Sequence, residues 1–169
     1  NRIEREYRKE YHELPQPDQI ADREKEDAMG AYFMMFASMA IGLPLPILNL
    51  VASIIYYYLN KAKGRFVRFH TLQSLLSQLP LTLLNAGGIF WLIRILYYEF
   101  SFSDYFKGYV IMILIANLIY FIFSIIGAVK AKKGIFYYFW FFGSYAYEIV
   151  YRKREEGTTE NPVNQPPKF

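Results

Sequence analysis

Two long apolar runs, at residues 71–98 and 108–130, constrain this chain more than any other feature of its sequence. Each is long enough to cross a bilayer, because a helical span needs about 20 apolar residues. Hydrophobic residues make up 54% of the 169 residues and aromatic residues 20%. A water-soluble domain of this size could not bury so much apolar area. Most charged residues lie before residue 28 or after residue 151. The sequence therefore predicts an all-α integral membrane protein.

A third apolar region, residues 28–60, is interrupted by the segment Gly42-Leu-Pro44-Leu-Pro46. Each half has about 15 residues and would be roughly 22 Å long as a helix, slightly short for a full crossing. Pro44 and Pro46 remove two amide donors and restrict the residues before them, which favours a turn. We expect a helical hairpin with spans at about 28–43 and 46–60, and one kinked span is the alternative. With the two later spans, this predicts a four-helix bundle.

Basic loops flank the two long spans, at residues 61–70 and 130–133. A hairpin of these spans places both loops on one face, which the positive-inside rule assigns to the cytoplasm. Residues 1–27, with a short amphipathic helix at 3–14, then lie on the same face. We therefore expect a multi-pass protein of the bacterial inner membrane with both termini in the cytoplasm.

Residues 135–151 form the most aromatic part of the chain, with nine aromatic residues in the fifteen positions 135–149. Such residues settle at the boundary between lipid headgroups and acyl chains, so we expect an interfacial helix on the cytoplasmic face. A re-entrant or protein-buried helix is the alternative. Residues 152–169 have the composition of a polar, disordered tail.

A polar stripe enters the membrane at the start of the third predicted span. Its spacings of three and four residues place it on one helical face, next to two arginines: His70, Gln73, Ser74 and Ser77, with Arg65 and Arg68. Polar groups are costly against lipid, so the stripe should face another helix or a wet groove. A functional interpretation is that the stripe forms a partner contact, a gate or a hydrophilic path. The alternative is that it only makes hydrogen bonds between helices.

Further residues can be placed by counting along the two long spans. Asn85 and Asn117 lie at similar depths, so we expect them to face each other or share a water, at about 0.5–2 kcal/mol. Pro80 should kink its helix, as a third break beside Pro44 and Pro46. Arg94 should reach the outer headgroups or pair with Glu99 or Asp104. The predicted lipid anchors are Arg94, Lys130, Lys132, Lys133 and Trp140.

The segment Phe66-Val-Arg-Phe-His70-x-x-Gln-Ser-Leu75 resembles the signature of the Tic-twenty-like membrane protein superfamily. That superfamily includes a chloroplast inner-envelope import component and small bacterial relatives. Residues 128–134 resemble the end of the last helix in the bacterial relatives, and the likeness covers roughly residues 31–134. It implies a four-helix membrane domain and, for the plastid branch, a role in protein translocation.

Several classes of function find no support in the sequence. The chain has no cysteine, which excludes disulfides and thiolate chemistry, and the predicted spans contain no Asp or Glu. We therefore expect no enzyme, cofactor or metal site. We expect a non-catalytic subunit or scaffold of a larger membrane assembly, accessory to protein translocation or insertion as the resemblance implies. Its partners would be lipids and other membrane subunits, with no nucleic acid or small-molecule substrate. A small oligomeric channel or transporter component is the alternative.

Overall fold

The computed structural model describes residues 10–40, 42, 45–99 and 101–153. Within these ranges the fold is all-helical, apart from one isolated β-bridge between Tyr11 and Arg152. Pro44, most of the predicted amphipathic helix at residues 3–14 and nearly all of the predicted tail lie outside the described residues.

The first apolar region forms separate helices rather than one kinked span. Helix α1, Asp22–Phe33, continues through a 3-10 turn, Met34–Phe36, into the short helix α2, Ala37–Ala40. Gly42 then adopts a φ of 71°, a left-handed conformation that favours glycine. Helix α3, Pro46–Asn60, begins at a proline, whose missing N–H costs nothing in the first turn of a helix. The first half thus begins before residue 28, with two acidic residues in its first turn.

Helix α3 returns antiparallel to α1 and α2. Near one end, the backbone N–H of Ser38 donates to Asn49 Oδ1 at 2.8 Å. Near the other end, the Tyr56 hydroxyl donates to the carbonyl of Asp27, also at 2.8 Å. Lys63 follows α3 and pairs with the carboxylate of Asp27 at 2.6 Å, which ties the loop after α3 to α1.

Two helices are long and apolar enough to cross a membrane among the residues that the structure describes. Helix α4, Arg65–Arg94, runs through Pro80 and ends in a π-helical turn, Ile95–Glu99. Helix α5, Asp104–Lys132, is capped by Ser103, whose hydroxyl accepts from the N–H of Phe106. Both helices extend past the predicted spans of 71–98 and 108–130, because charged residues at a helix end can reach water without breaking the helix.

Helices α4 and α5 run antiparallel, and α1 packs against both of them. The Tyr109 hydroxyl of α5 donates to the carbonyl of Leu84 on α4 at 2.8 Å. The ring of Tyr32 on α1 lies against Gly127 of α5, where a Cβ would meet it at 2.8 Å. The four-helix bundle in a membrane stays a prediction, since α1 and α3 are not among the membrane-length helices.

The aromatic run is only partly helical. Helix α6, Trp140–Tyr151, packs on α4, whereas residues 135–139 are extended. The predicted interfacial helix of 135–151 is therefore wrong in its first five residues. Gly134 ends α5 with a φ of 73°, and side-chain bonds from α4 then hold the extended segment in place.

The two described ends of the chain meet on the side of the basic loop that precedes α4. The N–H of His12 donates to the carbonyl of Tyr151 at 2.8 Å, and the N–H of Lys153 donates to the carbonyl of Glu10 at 2.7 Å. A guanidinium nitrogen of Arg65, in the first turn of α4, lies 3.2 Å from His12 Nε2.

Candidate functional site

One face of α4 carries a continuous line of buried polar side chains, which we call the polar column. It comprises His70, Gln73, Ser74, Ser77 and Gln78, all almost fully buried. Steps of one, three and four residues bring these side chains onto one side of the helix. The column lies inside the fold, between α4 and the elements packed on it.

Gln73 joins three parts of the chain. Its Nε2 donates to the Tyr32 hydroxyl of α1 and to the carbonyl of Tyr137, both at 2.9 Å. Its Oε1 accepts from the N–H of Phe139 at 3.0 Å. Both hydrogens of the amide and one oxygen lone pair are therefore used. These bonds explain why residues 137–139 stay extended instead of joining α6.

Aromatic rings surround the imidazole of His70. Phe66 and Phe69 make edge contacts with the imidazole at centroid distances of 4.5 and 5.0 Å, and Phe136 stacks on it at 5.8 Å. The Tyr32 hydroxyl lies 2.6 Å from His70 Nδ1. This hydroxyl accepts from Gln73 and can donate its own hydrogen to Nδ1. His70 Nε2 has no hydrogen-bond partner among the described residues.

The remaining members of the column bond to neighbouring helices. The Ser74 hydroxyl donates to the carbonyl of Ala31 on α1 at 2.8 Å. The Ser77 hydroxyl donates to the carbonyl of Ser74 at 2.9 Å and lies 3.4 Å from the Tyr120 hydroxyl of α5. Gln78 Nε2 donates to the Ser53 hydroxyl of α3. The column thus contacts α1, α3 and α5.

The two predicted arginines are not part of the column. Arg65 is exposed and contacts His12, at the surface where the chain ends meet. Arg68 is half-buried, and its Nε has no hydrogen-bond partner among the described residues. The structure therefore separates these charges from the polar stripe that follows them in sequence.

The structure brings Asn85 and Asn117 together across α4 and α5. Asn85 Nδ2 donates to Asn117 Oδ1 at 3.1 Å, and Asn117 Nδ2 donates to Asn85 Oδ1 at 2.7 Å. A second hydrogen of the Asn117 amide goes to the carbonyl of Ile113 at 2.8 Å. The pair lies in the wall of a cavity of about 450 Å³, which we call the outer cavity.

The predicted anchors lie at the surface. Arg94, Lys130 and Lys133 are exposed, and so is the indole of Trp140. Lys132 pairs with Glu26 of α1 at 2.7 Å, so it also makes a contact within the chain. Pro80 lies inside α4 without ending it.

Four site residues were missed in the sequence. Gln78 follows Ser74 by four positions and could have been added to the stripe by extending its period. Tyr32, Ser53 and Tyr120 lie on other helices, and no local pattern marks them as partners of α4. Among the described residues, no group of three His, Asp or Glu side chains is placed to hold a metal ion. The arrangement offers amide, hydroxyl and imidazole groups that mainly bond to one another.

Comparison with protein families gives one result that bears on identity. A family model described as "Magnetosome magnetite crystal formation protein family" matches residues 26–144, more than half of the chain. The match includes α4, α5, the polar column and the extended segment. No curated protein and no solved structure matches the chain.

This match overturns the resemblance drawn from residues 66–75. The family identified is the magnetosome family and not the Tic-twenty-like superfamily, so that assignment is wrong. Protein translocation, which rested on that resemblance, loses its support. In the structure, Phe66, Phe69 and His70 of the motif are core residues. Their presence is explained by helix packing and does not indicate a particular function.

Proposed function

The chain belongs to the magnetosome magnetite crystal formation protein family, a family of small magnetosome membrane proteins, and on that premise we propose that it is a non-catalytic subunit of a membrane assembly that acts in magnetite crystal formation. The observation that carries this proposal is the family match over residues 26–144. That range contains both membrane-length helices and the whole polar column.

The distribution of polar and apolar surface supports a membrane-embedded subunit. Large apolar side chains on the outside of α4 and α5, such as Leu83, Leu114 and Leu118, are exposed, while the polar column is buried. This is the reverse of the pattern in a soluble protein, and lipid is the solvent that suits it. The protein is accordingly a membrane protein.

We propose a multi-pass topology with both chain ends on the cytoplasmic side. The described ends meet beside Arg65, close to the loop that carries Lys61 and Lys63. Lys130 and Lys133, at the end of α5, add positive charge beyond the last membrane-length helix. Positive charge concentrates on the cytoplasmic side of membrane proteins, which supports this orientation.

The packing of the column favours a subunit over the channel alternative. His70, Gln73 and Ser74 are fully buried and bonded to α1 and to residues 137–139. A path for ions through one copy would have to break these bonds, at about 1–3 kcal/mol for each buried group left unpaired. The same groups hold helices together, which is what a scaffold requires.

The exposed aromatic face of α6 supports a partner contact. Trp140, Phe141 and Tyr145 are largely exposed. Aromatic residues are enriched both at lipid headgroups and in the centres of protein interfaces. We propose that this face meets lipid headgroups or another membrane subunit.

Deletion and complementation in a magnetite-forming bacterium that carries the gene test the proposal. We expect deletion to change the size or number of magnetite crystals in electron micrographs, and the wild-type gene to restore them. An epitope-tagged copy should co-purify with other proteins of the magnetosome membrane after gentle detergent extraction. Unchanged crystals together with a protein that migrates alone would contradict the proposal.

A further inference from the structure

The outer cavity lies among α2, α3, α4 and α5, at the end of the helices away from the basic loop before α4. It has a volume of about 450 Å³. Six polar side chains from these helices line it: Ser38, Asn49, Gln78, Thr82, Asn85 and Asn117. No lysine, arginine, histidine, aspartate or glutamate is among its lining residues. A polar cavity of this size has room for several water molecules.

Gln78 marks the inner end of the cavity and carries an unsatisfied group. Its side chain is only 2% exposed, and its Nε2 donates to Ser53. Its Oε1 has no hydrogen-bond partner among the described residues. A buried amide oxygen left without a partner is unfavourable, so it needs a water or a ligand from the cavity that Gln78 lines.

The lining has free hydrogen-bonding capacity of both kinds, acceptors and donors. Both hydrogens of the Asn117 amide are used, by Asn85 Oδ1 and by the Ile113 carbonyl. The side-chain oxygens of Asn85 and Asn117 each accept one bond from the other residue, and an amide oxygen has two lone pairs. Gln78 Oε1 adds a further acceptor. The Asn49 amide accepts from the N–H of Ser38 and makes no side-chain donation among the described residues, so its hydrogens are available as donors. Water can use both kinds of group. The lack of carboxylates makes tight binding of a bare divalent ion unfavourable.

The lining residues also indicate where the cavity opens. Gln78 and Leu92 both line it and lie about 21 Å apart along α4. Pro46 and Phe106, in the first turns of α3 and α5, line it as well, at the same end as Leu92. On α4 the lining of the outer cavity begins at Gln78, and the column residue before it, Ser77, lines a different cavity of about 460 Å³ beside Phe139 and Phe142. The outer cavity therefore does not extend to the basic loop.

We propose that the outer cavity is a water-filled vestibule that ends at Gln78, opens on the membrane face opposite the basic loops, and admits water and small polar solutes to its neutral side chains. This goes beyond the proposed role in an assembly and does not rest on it. A vestibule of this kind gives solutes on one side of the membrane access to the interior of the fold, without giving them a way across.

Cysteine accessibility tests this directly, because the chain has no native cysteine. Thr82 and Leu83 are adjacent, and they provide a matched pair. Thr82 lines the cavity and is 8% exposed, whereas Leu83 is 74% exposed on the outside of α4. Cysteine is close in size to threonine, and among the described residues the Thr82 side chain makes no hydrogen bond to another element that the substitution would remove. The readout is the rate of modification by membrane-impermeant methanethiosulfonates in oriented vesicles.

We expect Thr82→Cys to react from the face opposite the basic loops and Leu83→Cys not to react. This order of reactivity is the reverse of the order of their exposed fractions, because lipid would cover Leu83. Cationic and anionic reagents of similar size should modify Thr82→Cys at similar rates, because no charged side chain lines the cavity. Lys61→Cys, on the loop after α3, should react only from the other face and so reports vesicle orientation. If Thr82→Cys lowers the unfolding temperature, Ile89→Cys, also in the lining, serves in its place.

Three results would overturn the proposal: equal protection of Thr82→Cys and Leu83→Cys, modification of Thr82→Cys only from the basic-loop face, and modification of Thr82→Cys at equal rates from both faces. None of these bears on whether deletion of the gene changes magnetite crystals. The vestibule and the proposed function can therefore fail separately.

Discussion

Asn85 and Asn117 exchange two hydrogen bonds, at 3.1 and 2.7 Å, and so join the two membrane-length helices side by side. Each amide provides hydrogen-bond partners for the other, which neither lipid nor an apolar side chain could provide. Such a reciprocal pair fixes the register of α4 against α5, because a shift of one residue on either helix would separate the amides.

The asparagine pair should be energetically coupled. We expect Asn85→Leu and Asn117→Leu to be non-additive, with a coupling energy of about 0.5–2 kcal/mol. The measurement is a double-mutant cycle on the free energy of unfolding in detergent. Asn85→Leu combined with Ser144→Ala, on the exposed side of α6, should be additive. Additivity in the asparagine cycle would show that the two amides do not bond to each other in the detergent-solubilised protein.

Gln73 should be required for docking of residues 135–139. Gln73→Leu leaves the N–H of Phe139 and the carbonyl of Tyr137 without partners, so we expect a loss of about 1–3 kcal/mol in the free energy of unfolding. Trypsin should also cleave faster after Lys133. Gln16→Leu, at an exposed glutamine, should change neither quantity. Unaltered cleavage in Gln73→Leu would mean that the aromatic contacts alone hold the segment.

Two glycines of α5 should respond oppositely to alanine. A Cβ at Gly127 would meet the Tyr32 ring at 2.8 Å, and that ring is held by His70 and Gln73. Gly108→Ala meets nothing within 4 Å and should gain up to about 1 kcal/mol of helix stability. Gly127→Ala should be less stable than Gly108→Ala by about 1–3 kcal/mol. Unfolding temperatures in detergent decide the matter, and equal shifts would argue against close packing of α1 on α5.

Protonation of His12 should weaken the junction of the chain ends. Partial burial, followed by the charges of Arg65 and Lys153, lowers the pKa of His12 below its ordinary value of 6.5. Because the folded state binds the proton less readily than the unfolded state, this contribution is present above the ordinary pKa and is lost as the pH falls below it. We expect a lower unfolding temperature at about pH 5.5 than at about pH 7.5, with a smaller difference in His12→Asn. An identical difference in both proteins would assign the pH dependence to other groups.

Local periodicity and hydropathy predict the parts of this fold that lie along one helix. The depth of Asn85 and Asn117 follows from the rise per residue, and the polar face of α4 follows from its spacing. The bond between Tyr32 and His70 joins residues 38 positions apart, and nothing in α1 marks Tyr32 as a partner of α4. Residues 135–139 have the aromatic composition of the helix that follows, so only the distant amide of Gln73 distinguishes them.

The family assignment shows another limit of local patterns. The segment from Phe66 to Gln73 is distinctive in sequence, yet its side chains form the core around an imidazole and an amide. Any family that packs a helix in this way can carry similar residues. A match over residues 26–144 tests the whole arrangement, whereas a ten-residue motif tests only one of its helices.

The bridge between Tyr11 and Arg152 has a practical consequence for the chain outside it. Neighbouring strands lie about 5 Å apart, so whatever is joined before residue 10 and after residue 153 is tethered at a single point. Two modules fused there would meet each other at high local concentration without any affinity of their own. A short linker across this junction, with a new break in an exposed loop, would make the protein a candidate for circular permutation.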